Sequence, residues 1–376
     1  MQEPKRTQTL SYHLSKIADP RMDRRKEHSL HDVLMIAILA MLCGAETFVD
    51  FEDFGNAKKD WLKEFLELPN GIPSHDTFGR VFAAMNNKLF AESFRNWTEG
   101  LRKKISGEIV AIDGKTLRRS HDRRRGKSAI HMVSAWGREN GLVLGQIKVD
   151  EKSNEITAIP QLLRTLELAE CIVTIDAMGT QKEIAREIRD ADADYVLALK
   201  GNHETALEEV SSLLLDAKEK KCEGATHDFL ETVEKDHGRI ETRRYWISEE
   251  IGWFQDRALW DGLQSFGMVE SLRDINGEVS REVRFFLSSL KADAKNFARA
   301  VRGHWSVENS LHWSLDVCFS EDACRIRAGS AAENMAILRH MTLNVLKNDT
   351  IKKRGIKGKQ KNAAWDHSCL LSLLRF

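Results

Sequence analysis

Glu108-Ile-Val-Ala-Ile-Asp-Gly-Lys-Thr-Leu-Arg-Arg-Ser120 opens, after its glutamate, on an apolar and mostly β-branched run, residues 109–112. A run this short, with Gly107 before it and Gly114 after it, predicts a buried strand rather than a helix. The strand carries Asp113. A carboxylate on a core strand is costly to desolvate unless a cation holds it. Gly114 lets the backbone come close to a ligand, and Lys115, Arg118 and Arg119 follow. Acid on a strand, then glycine, then bases is what a metal-dependent phosphate enzyme needs. The plainer alternative is Asp113 paired with Lys115 as a structural ion pair.

The chain has 376 residues, which suggests two or three domains with ample core. Lys+Arg and Asp+Glu number 57 each. There is thus no global basic surplus, and any nucleic-acid contact must come from local patches. The six cysteines include no CxxC pair, which argues against zinc held through cysteine. Cys43, Cys171 and Cys318 sit in apolar runs and read as buried free thiols of a reducing cytoplasm. The longest apolar run, residues 33–43, is too short for a bilayer, which takes roughly 20 residues. It follows a long charged segment, unlike a signal peptide. It reads as a buried helix, with Ser29 and Asp32 at capping-box spacing.

Residues 1–28 are polar and basic, a helix or an arm. From Ser29 to about Leu101 the pattern is helical, broken by the turn-rich Leu68-Pro-Asn-Gly-Ile-Pro-Ser74. Ser74 can cap a helix bearing Phe78, Val81, Phe82 and Met85. Helix, turn, helix suits a DNA reader, though the same pair is common in all-α domains. After the central strand comes the basic loop His121-Asp-Arg-Arg-Arg-Gly-Lys127. Residues 129–136 and 142–149 read as strands joined by a hairpin at Glu139-Asn-Gly141. Residues 156–168 read as a helix. Cys171-Ile-Val-Thr-Ile-Asp176 is a short buried strand ending in an acid. A helix over 181–191 follows, then a strand over 195–200 closed by Gly201 and Asn202.

Three strands in hairpin succession, then helix, strand, helix, strand, is the order of a ribonuclease-H-like mixed sheet. In that α/β fold the first and fourth strands are neighbours, which would place Asp113 beside Asp176. Two adjacent carboxylates repel, and a divalent metal resolves the conflict. Residues 203–291 read as a β-rich insertion. Its first part, 204–236, has ten acids against four lysines, and residues 240–247 and 281–290 are strand-like around a turn at Asp274-Ile-Asn-Gly277.

Residues 300–319 have strong helical periodicity. On a wheel of 100° per residue, Val301, His304, Trp305, Glu308, Leu311, His312 and Leu315 share one face. Glu308 at the middle of that apolar face would need a cation, as the third carboxylate of a metal site would. Asp316, Glu321 and Asp322 are the rival acids nearby, expected at the edge of that face or past the helix end. Residues 347–361 hold seven Lys or Arg against Asp349, a solvated tail or a phosphate-contacting segment.

At these residues the sequence resembles the H-repeat-associated family of insertion-sequence transposases over nearly the whole chain. The stretches that carry the resemblance are Gly71-Ile-Pro-Ser-His-Asp-Thr-Phe78, Ala111-Ile-Asp-Gly-Lys115, Thr174-Ile-Asp-Ala177, Leu199-Lys-Gly-Asn-His203, His237-Gly-Arg-Ile-Glu241 and His304-Trp-Ser-Val-Glu-Asn-Ser-Leu-His-Trp313. The resemblance implies a helical accessory domain over 1–104, a candidate DNA binder, and a ribonuclease-H-like DDE catalytic domain over 105–346; the insertion read at about 203–291 interrupts the latter, and the basic tail read from composition runs over 347–376. The resemblance places the catalytic acids at Asp113, Asp176 and Glu308. Many related enzymes set a Tyr, an Arg and a Lys around the Glu, where this chain has Val301, His304 and Leu315.

The expected activity is DNA transposition by metal-dependent strand cleavage and transfer, with two Mg²⁺ (or Mn²⁺) ions on the three acids. Lys115, Arg118, Arg119, Arg123, Arg124, Arg125, Lys200, Asn202, His304, Lys352, Lys353 and Arg354 are the expected DNA contacts. The partners would be double-stranded element ends and target DNA, bound by a dimer on the bacterial nucleoid in the cytoplasm, with no membrane. Two alternatives compete. One is a silent remnant that only binds DNA. The other is a zinc hydrolase using His304, Glu308 and His312, although helical zinc motifs use the Glu as base rather than ligand.

Overall fold

The computed structural model describes residues 9–22, 26–121, 128–150, 153–219, 226–236, 238–350 and 353–374. Helices come first: α1 (Leu10–Ser15), α2 (Leu30–Leu42), α3 (Phe48–Ala57), α4 (Lys59–Leu62), α5 (His75–Ala84) and α6 (Asn87–Leu101). Strands β1 (Ile109–Thr116), β2 (His131–Gly137) and β3 (Leu142–Lys148) follow. Then come α7 (Glu155–Leu163), β4 (Ile172–Ile175), α8 (Lys182–Asp190), β5 (Asp194–Leu199) and α9 (Glu204–Glu219). Four longer strands are β6 (His227–Asp236), β7 (Arg239–Ser248), β8 (Ser265–Ile275) and β9 (Glu278–Ser288). The chain then forms α10 (Ala294–Ser306), a π-helical turn (Val307–His312), α11 (Trp313–Phe319), α12 (Ala331–Asn348), α13 (Ile356–Trp365) and α14 (His367–Leu373). Among the described residues no helix is long and apolar enough to cross a membrane.

These elements form two compact units. The first comprises Met1–Lys104, Gly114–Lys152 and Glu308–Phe376, the second Ile105–Asp113 and Ser153–Val307. β1 therefore divides after Asp113, and the long helix divides after Val307.

In the first unit, α2 is the buried helix that residues 33–43 predict. Every residue of it except His31 is buried. Each fully buried Leu or Ile contributes about 1.5–3 kcal/mol. The Ser29 hydroxyl accepts from the Asp32 N–H at 3.0 Å and caps it. Ser74 caps α5 in the same way, on the Thr77 N–H at 3.3 Å. α12 is nearly as buried and supplies two polar clasps. Asn334 Nδ2 donates to the carbonyls of Phe82 and Met85 at 2.8 and 3.0 Å, satisfying groups at the end of α5. Asn344 accepts from the Val143 N–H at 2.8 Å and donates to the Val143 carbonyl at 2.9 Å, pairing one residue of β3 as a neighbouring strand would.

Gly329 makes a tight entry to α12. Its φ is +51°, and a Cβ there would lie 2.5 Å from the Ala83 carbonyl oxygen. Backbone cannot yield as a side-chain tip can. Gly329→Ala should therefore cost about 1–3 kcal/mol, read as a lower urea midpoint; an unchanged midpoint would contradict the clash.

The basic segment over 347–376 carries α13 and α14, which pack against one another, with α13 against α2 and α12. Lys359 is buried, and its ammonium donates to the carbonyls of Leu346 and Asp349 at 2.7 and 2.5 Å. It caps the C-terminal end of α12. Part of this segment's charge is thus structural. Lys353 and Arg354 are exposed, and Lys352 lies outside the described residues.

In the second unit the strand order is β1-β4-β5-β9-β8-β7-β6. The β1/β4 and β4/β5 pairs are parallel and the later pairs antiparallel. This is a large mixed sheet, and the expected neighbours β1 and β4 do pair. Phe297 and Val301 of α10 pack with Ile109, Ile172, Tyr245, Ile247 and Phe286. The β-rich stretch over 203–291 is α9 followed by β6 to β9, and β9 joins β5 directly. Asn276 and Gly277 both have positive φ, +54° and +91°, as a tight hairpin turn requires.

Candidate active site

Within the second unit, the β1/β4 register ends at Ile112↔Ile175. The next residue on each chain is an acid, Asp113 and Asp176, and both are half-buried. Parallel pairing thus brings an acid to the same level of two neighbouring strands, within β1 and just past the end of β4. The Asp176 side chain accepts from the Met178 N–H at 3.1 Å and caps the short turn Ala177–Gly179. That turn is itself fastened. Asn202 Nδ2 donates to the Ala177 carbonyl at 2.7 Å, and Thr180 Oγ1 donates to the Ala198 carbonyl at 2.6 Å. Asn202, expected from sequence to meet a phosphate, is found holding the loop behind Asp176. His304 Nδ1 lies 3.1 Å from the hydroxyl of Thr174, two residues before Asp176 on β4. Lys200 is exposed just past β5.

In the first unit, Glu308 departs from the wheel. Its side chain is 61% exposed, whereas Leu311, His312 and Leu315 are buried. The core-facing position expected for Glu308 is thus corrected. The cause is the π-helical turn, whose i→i+5 bonding slows the rotation per residue, so a 100° wheel loses register there. π-turns are frequent at functional sites. His312 Nδ1 lies 3.4 Å from Glu308 Oε2. Burial lowers the His312 pKa, and Glu308 opposes that shift.

A deeply buried acid near Glu308 in sequence is Glu321, 3% exposed. Its Oε2 is 3.1 Å from the Lys115 ammonium and its Oε1 is 3.7 Å from the Arg339 guanidinium. Burial alone would raise its pKa, but Lys115 and Arg339 outweigh burial and hold it below the usual carboxylate range. Lys115 also pairs with Asp316 and lies 3.9 Å from Asp322. Its ammonium, expected from sequence to meet a phosphate, thus sits among three carboxylates of its own chain. Arg118 is 3.3 Å from Asp322 but 80% exposed, so its guanidinium is accessible. Arg119 is exposed. Arg123, Arg124 and Arg125 lie outside the described residues.

His340, also buried in this cluster, has its pKa pushed down to about 4 by burial, against the pull of Glu321 and with the help of His312, Lys115 and Arg339. Its folded pKa lies below the ordinary histidine value, so the unfolded chain takes up the proton first as pH falls. His340 should therefore stabilise the fold above pH 6.5 and lose that contribution between about 6.5 and 4, about 3 kcal/mol in all. The Glu321 contribution fades in the same direction, but only below the ordinary glutamate range. His340→Gln should flatten the stability curve from pH 6.5 down to about 4.5. An unchanged slope in that window would show that another group is responsible.

Each unit by itself offers donors of the kind a metal takes: the half-buried acids Asp113 and Asp176 in the second, and Glu308 beside the His312 imidazole in the first.

A family model described as "Transposase DDE domain" matches residues 105–345, and one described as "DDE_Tnp_1-associated" matches residues 11–98. The "H repeat-associated putative transposase YhhI" of Escherichia coli K12 is 42% identical over 97% of each chain. YncI of Escherichia coli O157:H7 is 43% identical over 95% of this chain and 92% of its own. A solved piggyBac transposase synaptic complex with hairpin DNA aligns with 98% of this chain and 78% of its own, at 11% identity and a TM-score of 0.40, a likeness too slight to carry an argument.

Proposed function

This chain belongs to the DDE transposase family, and from that premise we propose that it is an insertion-sequence transposase whose acidic triad is Asp113, Asp176 and Glu308. The observation that carries the reading is the β1/β4 register, whose last pair, Ile112↔Ile175, is followed on each strand by a half-buried acid. The succession β1-β4-β5 in the second unit, with the antiparallel β2/β3 hairpin next after β1 in the chain, supports a ribonuclease-H-like core.

The donor set fits a hard divalent cation. Carboxylate oxygens suit Mg²⁺ or Mn²⁺. Such ions supply activation of a water or DNA 3′-hydroxyl and neutralise the leaving oxygen of an in-line displacement at phosphorus. The chain's own residues supply placement. Pairing of β1 with β4 sets the spacing of Asp113 and Asp176. The Met178 N–H and the Asn202 clasp fix the orientation of Asp176. The exposed Arg118, Arg119, Lys200, Lys353 and Arg354 would bind phosphates and set register on DNA without reading sequence. Joining two element ends to a target calls for two copies on the DNA.

The test is nicking of supercoiled plasmid by the purified full chain, with Mn²⁺ or with EDTA. Cutting that EDTA abolishes supports the reading. Retention of DNA without cutting under any metal would favour the silent remnant. Bound-metal analysis of the purified chain separates the zinc-hydrolase alternative, which calls for zinc in place of Mg²⁺ or Mn²⁺.

A further inference from the structure

Lys115 sits two residues after Asp113 on β1, and alternate residues of a strand face the same side. Its ammonium is the meeting point of acids from the segment that follows the π-helical turn: Asp316 on α11, and Glu321 and Asp322 just after it. The Lys115 side chain is only 12% exposed. Glu321 passes the connection on to Arg339 of α12. A buried ammonium that donates to two carboxylates, Asp316 and Glu321, with Asp322 a longer ion pair, is held by direction as well as by charge. Partners that oriented are poorly placed to let the amine swing out to a phosphate.

We propose that Lys115 is a positioning residue of the triad: it ties the Gly114–Thr116 end of β1 to α11 and thereby sets the metal affinity of the acids that adjoin those two segments. This rests on the transposase reading above. Groups behind metal ligands typically tune affinity by about 10–100-fold, and Lys115 acts from that place, through the backbone of β1 and through Asp316.

The test is Mn²⁺ binding by the full chain, followed by electron paramagnetic resonance without DNA, alongside DNA retention in EDTA. Lys115→Met should raise the Mn²⁺ dissociation constant by about tenfold or more, with DNA retention unchanged, and Lys115→Arg should recover much of the loss. Should Lys115→Met not fold, Asp316→Asn decides the matter, because Asp316 is partly exposed and removes one anchor only; it should weaken Mn²⁺ binding in the same direction. Unchanged Mn²⁺ affinity in the folded variants would overturn the proposal. So would normal Mn²⁺ affinity combined with weakened DNA retention and a shallower salt dependence, which would make Lys115 a phosphate contact. Failure of the wild-type chain to bind Mn²⁺ would instead overturn the metal reading itself, and this inference with it.

Discussion

Asp113→Asn is expected to abolish metal-dependent cleavage, lowering the rate by about a thousandfold or more, which corresponds to about 4 kcal/mol of lost transition-state stabilisation. Asparagine keeps the shape of the side chain and its place on β1, so the pairing with β4 that begins at Ile109↔Ile172 should persist. What changes is charge: one anionic oxygen becomes an amide nitrogen, which repels a cation. DNA retention should stay within about twofold, because phosphate contacts are made by exposed cations elsewhere. The measurement is plasmid nicking with filter retention of the same DNA. Wild-type cutting by the variant would remove Asp113 from the triad. Loss of both cutting and retention would instead indicate a damaged fold.

Arg339→Met should give the largest loss of stability. Arg339 is 1% exposed on α12, with its guanidinium 3.7 Å from Glu321. Methionine matches much of its volume, so little of the loss should come from packing. The loss should come from leaving Glu321, itself 3% exposed, with one cation fewer. Breaking a buried pair from one side typically costs about 3–5 kcal/mol. A urea melt reads this as a lower midpoint at constant slope. Adding Glu321→Met should recover part of the loss, since the stranded charge is then gone. Should the double variant be as unstable as the sum of the two single ones, the pair is not coupled and Arg339 acts through something else.

Much of the architecture was legible because it rests on local patterns with one physical meaning. Residues 109–112 and 172–175 are short apolar runs that only a buried strand explains, and each ends on its acid. Ser29 and Ser74 stand where helices begin and cap them as expected. Other features were hidden. β6 and β8 escaped notice because both faces of those strands carry charge towards their far ends: Glu231 pairs with Arg244, and Glu270 with Lys218, Arg244 and Arg281. No apolar alternation survives there to be read. Glu308 was misplaced on its helix because periodicity assumes a constant turn, and the π-helical turn breaks that assumption just at this residue. Glu321 and Arg339 were missed as partners because they lie 18 positions apart on separate elements. Composition marks both as charged, but nothing local marks them as buried. The basic run over 347–361 looked like one kind of surface, yet Lys359 faces inward to carbonyl groups while Lys353 faces out. Charge alone does not separate the two.

The clasp of Asn344 on β3 bears on how this molecule behaves in a crowded cell. A bare strand margin is an invitation: its alternating donors and acceptors will accept any passing extended segment, and chains that stack this way precipitate. Here a helical carboxamide occupies both backbone groups of Val143, and it cannot be extended further as a strand could. The margin is thereby closed at that point to further sheet growth. A chain with Asn344→Leu would reopen it, and colloidal behaviour rather than catalysis is where that change would first be felt.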